Sequence, residues 1–211
     1  MNNENLALLY GILLGDGCLS HVKKCRFISI TCNYYSDQPF INSIIPILEE
    51  LRGKKVKAYN RKKYGKVEIT FSDKRLFEII QSLGFPIGKK RTGISFPSQL
   101  SNYQNQLVNG YFATDGCFVL TKNNGNLYPR LEFSSISIKL LQDVKEYLNS
   151  LDILGEIYVS HKMNYRSNKP LYRLQINGKN NLIKFKNNIG FINPKHEQKF
   201  IKYNQIINQT K

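Results

Sequence analysis

Two aspartates stand at equivalent places in a segment that the sequence carries twice. Asp16 lies in a stretch reading LLYGILLGDGC, and Asp115 lies in LVNGYFATDGC, 99 residues further on. A single Asp-Gly pair is usually just a turn, but two copies at equivalent positions of a repeat are far more specific. Two neighbouring carboxylates repel each other unless a cation lies between them. The pair therefore predicts a divalent-metal site, with Mg²⁺ bridging a phosphate as the expected chemistry.

The residues before each aspartate indicate how the two acids are brought together. Each motif copy is an apolar run typical of a helix, and small residues are spaced by four within it: Gly11 and Gly15 in the first copy, Gly110 and Thr114 in the second. Residues at this spacing share one helix face, and small side chains there let two helices approach closely. We therefore expect the two motif helices to pack on each other and to place the two acids side by side.

A second repeated segment extends the duplication to the whole chain. Leu83–Lys90 matches Ile189–His196 at an offset of 106 residues, so the chain divides into two pseudo-repeats, 1–95 and 96–211. Apolar periodicity and turn residues predict the order helix, hairpin, helix, hairpin, helix in each half, which is an α+β fold of two pseudo-symmetric αββαββα halves with antiparallel sheets. The predicted helices span 5–15, 37–51, 74–83, 98–114, 139–151, 180–189 and 195–207. The predicted strands include 27–32, 55–61, 66–71, 156–162 and 171–177, with a hairpin over 117–137 that turns at Asn124–Gly125.

The charge of the chain indicates the class of its partner. The 211 residues include 31 Lys and Arg against 15 Asp and Glu, which gives a net charge of +16 and a pI near 9.7. This excess favours nucleic acid as the partner, with a surface biased for solubility as the simpler alternative.

No apolar run approaches the length of a membrane span, and we expect no signal peptide. The four cysteines form no C-x-x-C pair, so we expect neither a zinc ribbon nor a redox dithiol. Since no export signal is expected, reduced thiols are expected at Cys18, Cys25, Cys32 and Cys117.

Alternation along the strands predicts which sheet face is free to bind a partner. Apolar residues such as Val67, Ile69, Leu131 and Phe133 point inward, and polar or basic residues alternate with them. Such side chains read base edges and hold phosphates, although an ordinary solvated sheet face alternates in the same way. The predicted DNA-binding residues are Lys55, Lys57, Tyr59, Arg61, Lys66, Glu68, Thr70, Arg130, Glu132, Ser134, Arg173, Gln175 and Asn177.

The duplicated motif resembles the LAGLIDADG homing endonuclease family, in its intein and archaeal-intron branch. The resemblance covers almost the whole chain and implies two antiparallel sheets that form a DNA-binding saddle, with the motif helices packed at the interface of the halves. It rests on Leu9–Gly17, Val108–Gly116, Glu132–Val144, Tyr172–Gly178 with Gly190–Phe191, and Gly88–Lys90 ahead of Ile94–Pro97.

The resemblance also implies which residues hold the metals. The last acid of each motif is the metal ligand in the family, and this role maps to Asp16 and Asp115. The backbone carbonyl just before each acid, here of Gly15 and Thr114, often assists. The implied cofactor is Mg²⁺, with Mn²⁺ or Ca²⁺ able to replace it for binding.

A basic residue in each half is implied to assist the phosphate chemistry. The matching candidates are Lys89 or Lys90 in the first half, of which Lys90 is preferred, and Lys195 in the second. Family members often carry Gln or Lys at the end of the second strand as well. Cys32–Asn33 and Ser134–Ser135 stand there in this sequence, so no catalytic side chain is carried over to those positions.

The expected function is that of a monomeric, Mg²⁺-dependent, site-specific double-strand DNA endonuclease, cutting across the minor groove to leave 3′ overhangs. The DNA target is expected to span about 20 base pairs. An RNA-splicing maturase or a DNA-binding regulator of the same fold is the alternative, with intron RNA as a second candidate partner. Since the terminal His-Asn of an intein is missing, we expect a free-standing, intron-encoded protein of the cytoplasm or an organelle, with no membrane partner.

Overall fold

The computed structural model describes residues 2–90, 92–123, 126–161 and 169–209. These residues form an α+β fold of seven α-helices and two four-stranded antiparallel sheets, which confirms the predicted fold class. The elements in the first half of the sequence are α1 (Asn3–Asp16), β1 (Gly17–Val22), β2 (Cys25–Asn33), α2 (Gln38–Arg52), β3 (Ala58–Arg61), β4 (Lys66–Ser72) and α3 (Lys74–Ser82). Those in the second half are α4 (Gln104–Asp115), β5 (Gly116–Asn123), β6 (Asn126–Ser135), α5 (Ile138–Ser150), β7 (Gly155–His161), β8 (Leu171–Asn177), α6 (Lys179–Asn188) and α7 (Pro194–Gln209).

Two predicted elements start three or more residues away from the observed ones. The helix predicted from residue 98 begins as a short 3₁₀ segment, Ser98–Tyr103, because Leu100 has non-helical backbone angles of −109° and 19°. The strand predicted from residue 55 begins at Ala58. The side chain of Glu49 binds both the Lys55 ammonium and the backbone N–H of Val56, which holds this segment at the end of α2 instead. The predicted turn at Asn124–Gly125 lies outside the described residues.

The chain forms two compact units that do not follow the boundary between the pseudo-repeats. The first unit comprises Met1–Lys90, Phe96–Thr114 and Ile192–Lys195, and the second comprises Arg91–Ser95, Asp115–Phe191 and His196–Lys211. The first unit therefore contains most of α4 and a short segment from near the end of the sequence.

The first unit is built on a sheet with the strand order β1-β2-β4-β3. Alternate residues of its central strands are buried, among them Ile28 and Ile30 of β2 and Val67 and Ile69 of β4. Helices α2 and α3 bury their apolar stripes in the same core, which explains why their sequences are amphipathic. The buried residues of these helices are Phe40, Ile41, Ile44, Leu48, Leu51, Leu76, Phe77 and Ile80.

The close approach of α1 and α4 is also part of the first unit. A Cβ atom added to Gly11 would lie 2.2 Å from the Leu107 carbonyl oxygen, and one added to Gly110 would lie 2.3 Å from the Leu8 carbonyl oxygen. The two backbones therefore touch through this pair of glycines, as the spacing of small residues predicts. Every residue of α1 from Leu6 to Leu14 is buried, which explains why this helix is apolar all round.

The second unit repeats the sheet order, as β5-β6-β8-β7. The predicted inward-facing residues of β6 and β8 are buried, which confirms which face of each strand points into the core: Leu131, Phe133, Leu174 and Ile176. Aromatic side chains fill the rest of the core, where Phe185 stacks on Phe191 with ring centroids 5.6 Å apart. Among the described residues, no helix has the length and apolar character needed to cross a membrane.

Candidate nuclease site and nucleic-acid interface

The first motif acid, Asp16, is the last residue of α1 and is half-buried. The chain leaves the helix at Gly17 in an extended conformation, with φ −102° and ψ 163°. A Cβ at Gly17 would lie 2.3 Å from a side-chain atom and 2.4 Å from the Cα of Leu13, so only glycine fits this exit. The Gly-Asp-Gly sequence thus passes directly from helix to strand and leaves the carboxylate at the junction.

Several polar groups of the first unit surround Asp16. Burial raises the pKa of the Asp16 carboxyl, Lys90 and Lys195 act to lower this pKa, and Asp37 acts to raise it further. The Cys32 thiol hydrogen-bonds the carboxylate, and burial raises the pKa of that thiol. The acid at the end of α1 is therefore set among two cations, a second acid and a neutral thiol.

Lys90 reaches the end of α1 from the loop that follows α3. Its ammonium donates to the carbonyl oxygen of Gly15, the residue just before the acid. A carbonyl oxygen has two lone pairs, so this contact leaves Gly15 with one further acceptor position. Of the two lysines considered for the first half, Lys89 is exposed and Lys90 makes this half-buried contact.

Lys195 also belongs to the first unit, although it lies near the end of the sequence. Its ammonium forms an ion pair with Asp37, with 2.9 Å between Nζ and Oδ1. The repeat assigns Lys90 to one half and Lys195 to the other, whereas the structure brings both lysines near enough to Asp16 to act on its pKa.

Asp37 is a buried residue of this site that sequence reasoning missed. It stands directly before α2, where an aspartate is ordinarily a helix cap, but its side chain makes no capping hydrogen bond to that helix. Its Oδ2 accepts the backbone N–H of Asn33 at 3.1 Å, and its Oδ1 accepts from Lys195. No local signal distinguishes this role from a cap, since the cation comes from the far end of the chain.

The second motif acid, Asp115, ends α4 and is exposed. Thr114 before it is half-buried, and its hydroxyl donates back to the carbonyl oxygens of Tyr111 at 3.1 Å and Gly110 at 3.4 Å. Asp115 belongs to the second unit and Thr114 to the first. The two acids thus share their position at a helix end but differ in burial.

The predicted DNA-binding residues of the first sheet are exposed or half-buried on one face. The strand register pairs Tyr59 with Glu68 and Arg61 with Lys66 across β3 and β4. The Arg61 guanidinium lies 3.4 Å from Glu68, and Thr70 donates to Ser29 at 3.1 Å. The remaining two residues of the set are not on the sheet, because Lys55 and Lys57 precede β3.

The corresponding residues of the second sheet form a connected polar layer. The register pairs Arg130 with Asn177, Glu132 with Gln175 and Ser134 with Arg173. Glu132 is buried, at 8% exposure, and its carboxylate lies 3.2 Å from Arg173 and 4.0 Å from Arg130. Gln175 donates to Asn177 at 2.9 Å and accepts from Tyr158 at 3.1 Å.

The burial of Glu132 sets it apart from the other predicted DNA-binding residues of this layer. Strand alternation places Glu132 on the free face, but Glu132 is buried and its carboxylate lies 3.2 Å from Arg173, so we expect it to orient that cation. The arginine side chains are about 30% exposed, at 29% for Arg130 and 30% for Arg173. Arg173 is therefore paired with Glu132 at 3.2 Å, Arg130 lies at 4.0 Å, and part of each arginine side chain is accessible.

The protein ligands available to a metal are few. Within the described residues there is no group of three or more His, Cys, Asp or Glu side chains that could hold a metal ion. Asp16 with the Gly15 carbonyl offers only oxygen atoms, which is the donor type that Mg²⁺ and Ca²⁺ prefer. Mg²⁺ is commonly held by one or two carboxylates and completed by phosphate and water, so this sparse donor set fits Mg²⁺ bound together with a phosphate substrate.

Comparisons with known proteins agree with the second copy of the motif and with the fold. Residues 102–190 match the family described as LAGLIDADG-like domain. A probable translation initiation factor IF-2 of Methanocaldococcus jannaschii is 29% identical over 198 residues, covering 90% of this chain and 15% of that protein. The chain therefore spans only a small part of that relative's length.

Solved structures show the same architecture. The structure of I-DmoI in complex with DNA and Mn is 19% identical, with a TM-score of 0.59, and the match covers 90% of this chain and 98% of that chain. The LAGLIDADG meganuclease I-AabMI, bound to uncleaved DNA, is 14% identical with a TM-score of 0.63, and the match covers 100% and 93%. Further I-DmoI structures contain Mg or Ca.

Proposed function

We propose that this chain is a metal-dependent, site-specific double-strand DNA endonuclease, because its residues 102–190 match the LAGLIDADG-like family and its fold is that of LAGLIDADG homing endonucleases. The observation that carries the proposal is the setting of Asp16. A half-buried carboxylate at a helix end has two lysines near it, in a chain with a net charge of +16. An acid for a metal and cations for a phosphate are the parts that phosphodiester hydrolysis needs.

The proposed metal ligands are the motif acids and the carbonyls before them. Gly11 and Gly110 mark the contact of α1 and α4, and each acid follows its glycine by five residues, which supports the same metal-binding role for Asp16 and for Asp115. The carbonyls of Gly15 and Thr114 are the candidate additional oxygens. Mg²⁺ bound there would neutralise charge on the scissile phosphate and lower the pKa of a bound water.

The lysines supply fixed positive charge that does not depend on a metal. Lys90 is held by the Gly15 carbonyl and Lys195 by Asp37, so both ammonium groups are oriented before DNA arrives. Donors placed in advance at developing negative charge are among the largest contributions to catalysis. We assign Lys90 and Lys195 to stabilising the charge on the phosphate being cut.

The sheet faces are the proposed DNA-binding surface. Arg173 is paired with Glu132 at 3.2 Å on the second sheet and Arg130 lies 4.0 Å from the same carboxylate, and arginines placed in this way suit hydrogen bonding to base edges or phosphates. The proposed contacts are Tyr59, Arg61, Lys66, Thr70, Arg130, Ser134, Arg173, Gln175 and Asn177. Cutting across the minor groove, 3′ overhangs and a target of about 20 base pairs, roughly one helical turn per half, complete the proposal.

Cleavage of a randomised duplex DNA library tests the proposal and reveals the target sequence in the same experiment. Wild-type protein with Mg²⁺ should release a defined set of sequences cut on both strands, and EDTA should abolish this. Asp16→Asn and Asp115→Asn should bind the selected duplex but leave it uncut, because the sheets hold DNA and the acids hold metal. Asp73→Asn is the matched control, since Asp73 caps α3 by accepting from Leu76 N–H and should leave cleavage unchanged.

The outcome also separates the enzyme from a binding protein of the same fold. Double-strand cleavage by Asp16→Asn with Asp115→Asn combined would refute the assignment of the acids. Tight binding of DNA or of intron RNA by a wild-type protein that cuts nothing would instead identify a regulator or a maturase.

A further inference from the structure

A chain of contacts links the motif acid to a second, buried acid. The Cys32 thiol hydrogen-bonds Asp16, and the next residue of β2, Asn33, donates its backbone N–H to Asp37 at 3.1 Å. The other oxygen of Asp37 accepts from the Lys195 ammonium at 2.9 Å. The Lys195 cation is therefore tied, through Asp37, to the strand residue adjacent to the one that contacts Asp16.

The backbone around Lys195 is held independently of this ion pair. The N–H of Ile192 donates to the Asn109 side chain of α4 at 3.0 Å. Asn193, only 1% exposed, donates to the carbonyl oxygen of Ala113 at 2.8 Å and accepts the N–H of Lys195 at 3.2 Å. Two asparagines thus fix the segment against the second motif helix, and Asp37 fixes the end of the lysine side chain.

Asp37 and Lys195 differ in exposure, whereas an ion pair with a purely structural role does not require one partner to be accessible. The Asp37 side chain is 10% exposed, whereas the Lys195 side chain is 36% exposed. The carboxylate is thus enclosed and engaged by two donors, while part of the lysine remains accessible. A surface phosphate can approach the cation without breaking its contact with Asp37.

The equivalent position in the other half has a different role. Ser137 stands 100 residues after Asp37, directly before α5. Its hydroxyl donates to the carbonyl oxygen of Ile94 at 2.6 Å and accepts the N–H of Leu140 at 3.3 Å, which is a helix cap. A neutral hydroxyl engaged in this way does not hold a cation, so the arrangement at Asp37 is specific to the first half.

We propose that Asp37 is a positioning residue of the nuclease, which holds the Lys195 ammonium beside the Asp16 end of α1 so that it meets the scissile phosphate. This inference rests on the proposed nuclease function. It makes Asp37 necessary for the rate of cleavage and dispensable for DNA binding, because Asp37 itself is enclosed and touches no substrate.

Asp37→Asn is the test variant, since asparagine keeps the shape and one acceptor oxygen but removes the charge that holds Lys195. The substrate is a duplex selected from a randomised library by wild-type cleavage, with Mg²⁺ present. We expect the single-turnover cleavage rate to fall about 10- to 100-fold with nearly unchanged DNA affinity, as for other small misplacements of a catalytic group. Lys195→Met should show the same loss, and the double variant should be no slower than Lys195→Met alone.

Asp73→Asn provides the matched control in the same unit. Asp73 also precedes a helix and has a cation near it, with Arg52 at 4.0 Å, but it caps α3 and is not linked to Asp16. It should lower the melting temperature at least as much as Asp37→Asn and leave the cleavage rate unchanged. ¹⁵N NMR of the lysine ammonium groups gives a readout without activity: a slowly exchanging Lys195 signal should vanish in Asp37→Asn and persist in Asp73→Asn.

The results distinguish failure of this inference from failure of the proposed function. If Asp16→Asn stops cleavage while Asp37→Asn cuts as fast as wild type, Asp37 has no positioning role and the nuclease assignment stands. Multiplicative losses in the double variant would also overturn the inference, because Asp37 would then act apart from Lys195. If wild-type protein cuts no sequence in the library, or Asp16→Asn still cuts, the proposed function fails and this inference fails with it.

Discussion

The contact between α1 and α4 depends on the absence of a side chain at Gly11. In Gly11→Ala the new Cβ would lie 2.2 Å from the Leu107 carbonyl oxygen, 2.9 Å from the Tyr111 nitrogen and 3.1 Å from the Gly110 Cα. Real Cβ atoms essentially never come within 3.0 Å of another heavy atom, so the helices must separate locally by about 0.8 Å. All three neighbours are backbone atoms, and no side-chain rotation relieves the overlap.

The expected loss of stability follows from two opposing effects. Overpacking costs about 1–3 kcal/mol, and a clash between backbones belongs at the upper end of that range. Alanine is favoured over glycine inside a helix by about 1 kcal/mol, which offsets part of the cost. The net loss of about 2 kcal/mol should lower the melting temperature by about 4–8 °C in a protein of this size.

Thermal unfolding followed by circular dichroism measures this loss. Gly93→Ala is the control, because nothing lies within 4 Å of its added Cβ and its melting temperature should be unchanged or slightly higher. Gly110→Ala should match Gly11→Ala, with its Cβ 2.3 Å from the Leu8 carbonyl oxygen. The double variant should lose less than the sum, since one separation relieves both clashes. If Gly11→Ala has the same melting temperature as Gly93→Ala, the proposed contact between the two glycines is refuted.

Four further predictions concern charge, specificity and assembly. Burial holds the pKa of the Asp16 carboxyl above its usual range, so the protonated carboxyl contributes stability at low pH and this contribution is lost as pH rises through the raised pKa. Asp16→Asn should therefore have a higher melting temperature than wild type at pH 7, and the difference should vanish in acid. DNA binding should weaken with salt at a log–log slope of roughly −5 or steeper if about six or more phosphates are neutralised, and a slope near zero would contradict a nucleic-acid role. Arg173→Ala should cost about 1–3 kcal/mol at one base position in a cleaved library, whereas Lys195→Ala should slow all targets alike. Light scattering should give the mass of a monomer, because both motif copies are in one chain.

The parts of the fold that are predictable from the sequence are those encoded by local periodicity. Each motif acid follows an apolar run that specifies a buried helix, and Gly11 and Gly110 mark its contact face. Alternation around Ile69 and Leu174 specifies two strands and their buried faces. The duplication strengthens every such prediction, because two copies of one pattern have to agree. The exit from α1 is also readable, since only glycine is small enough at position 17.

The parts that sequence reasoning missed depend on contacts distant in the chain. Asp37 has the sequence context of a helix cap, and only folding shows that its cation partner stands 158 residues further on. The position of Lys195 in the sequence assigns it to the second half, yet its segment packs in the first unit. Alternation along its strand places Glu132 on the free face, but alternation does not reveal that Glu132 is buried with its carboxylate 3.2 Å from Arg173.

The two halves of the duplication differ at charged positions. This divergence is possible because the two halves are joined in one chain and can change independently. In an assembly of identical halves, every change appears twice, so both acids must keep the same surroundings. In a single chain, Ser137 can replace an acid as a helix cap while Asp37 remains to bind Lys195. His196, which the repeat aligns with Lys90, is buried against Phe191 with ring centroids 6.1 Å apart, so that position now serves the core. The positive charge that acts on Asp16 therefore comes from both repeats, and the duplicated motif retains its two acids in chemically different settings.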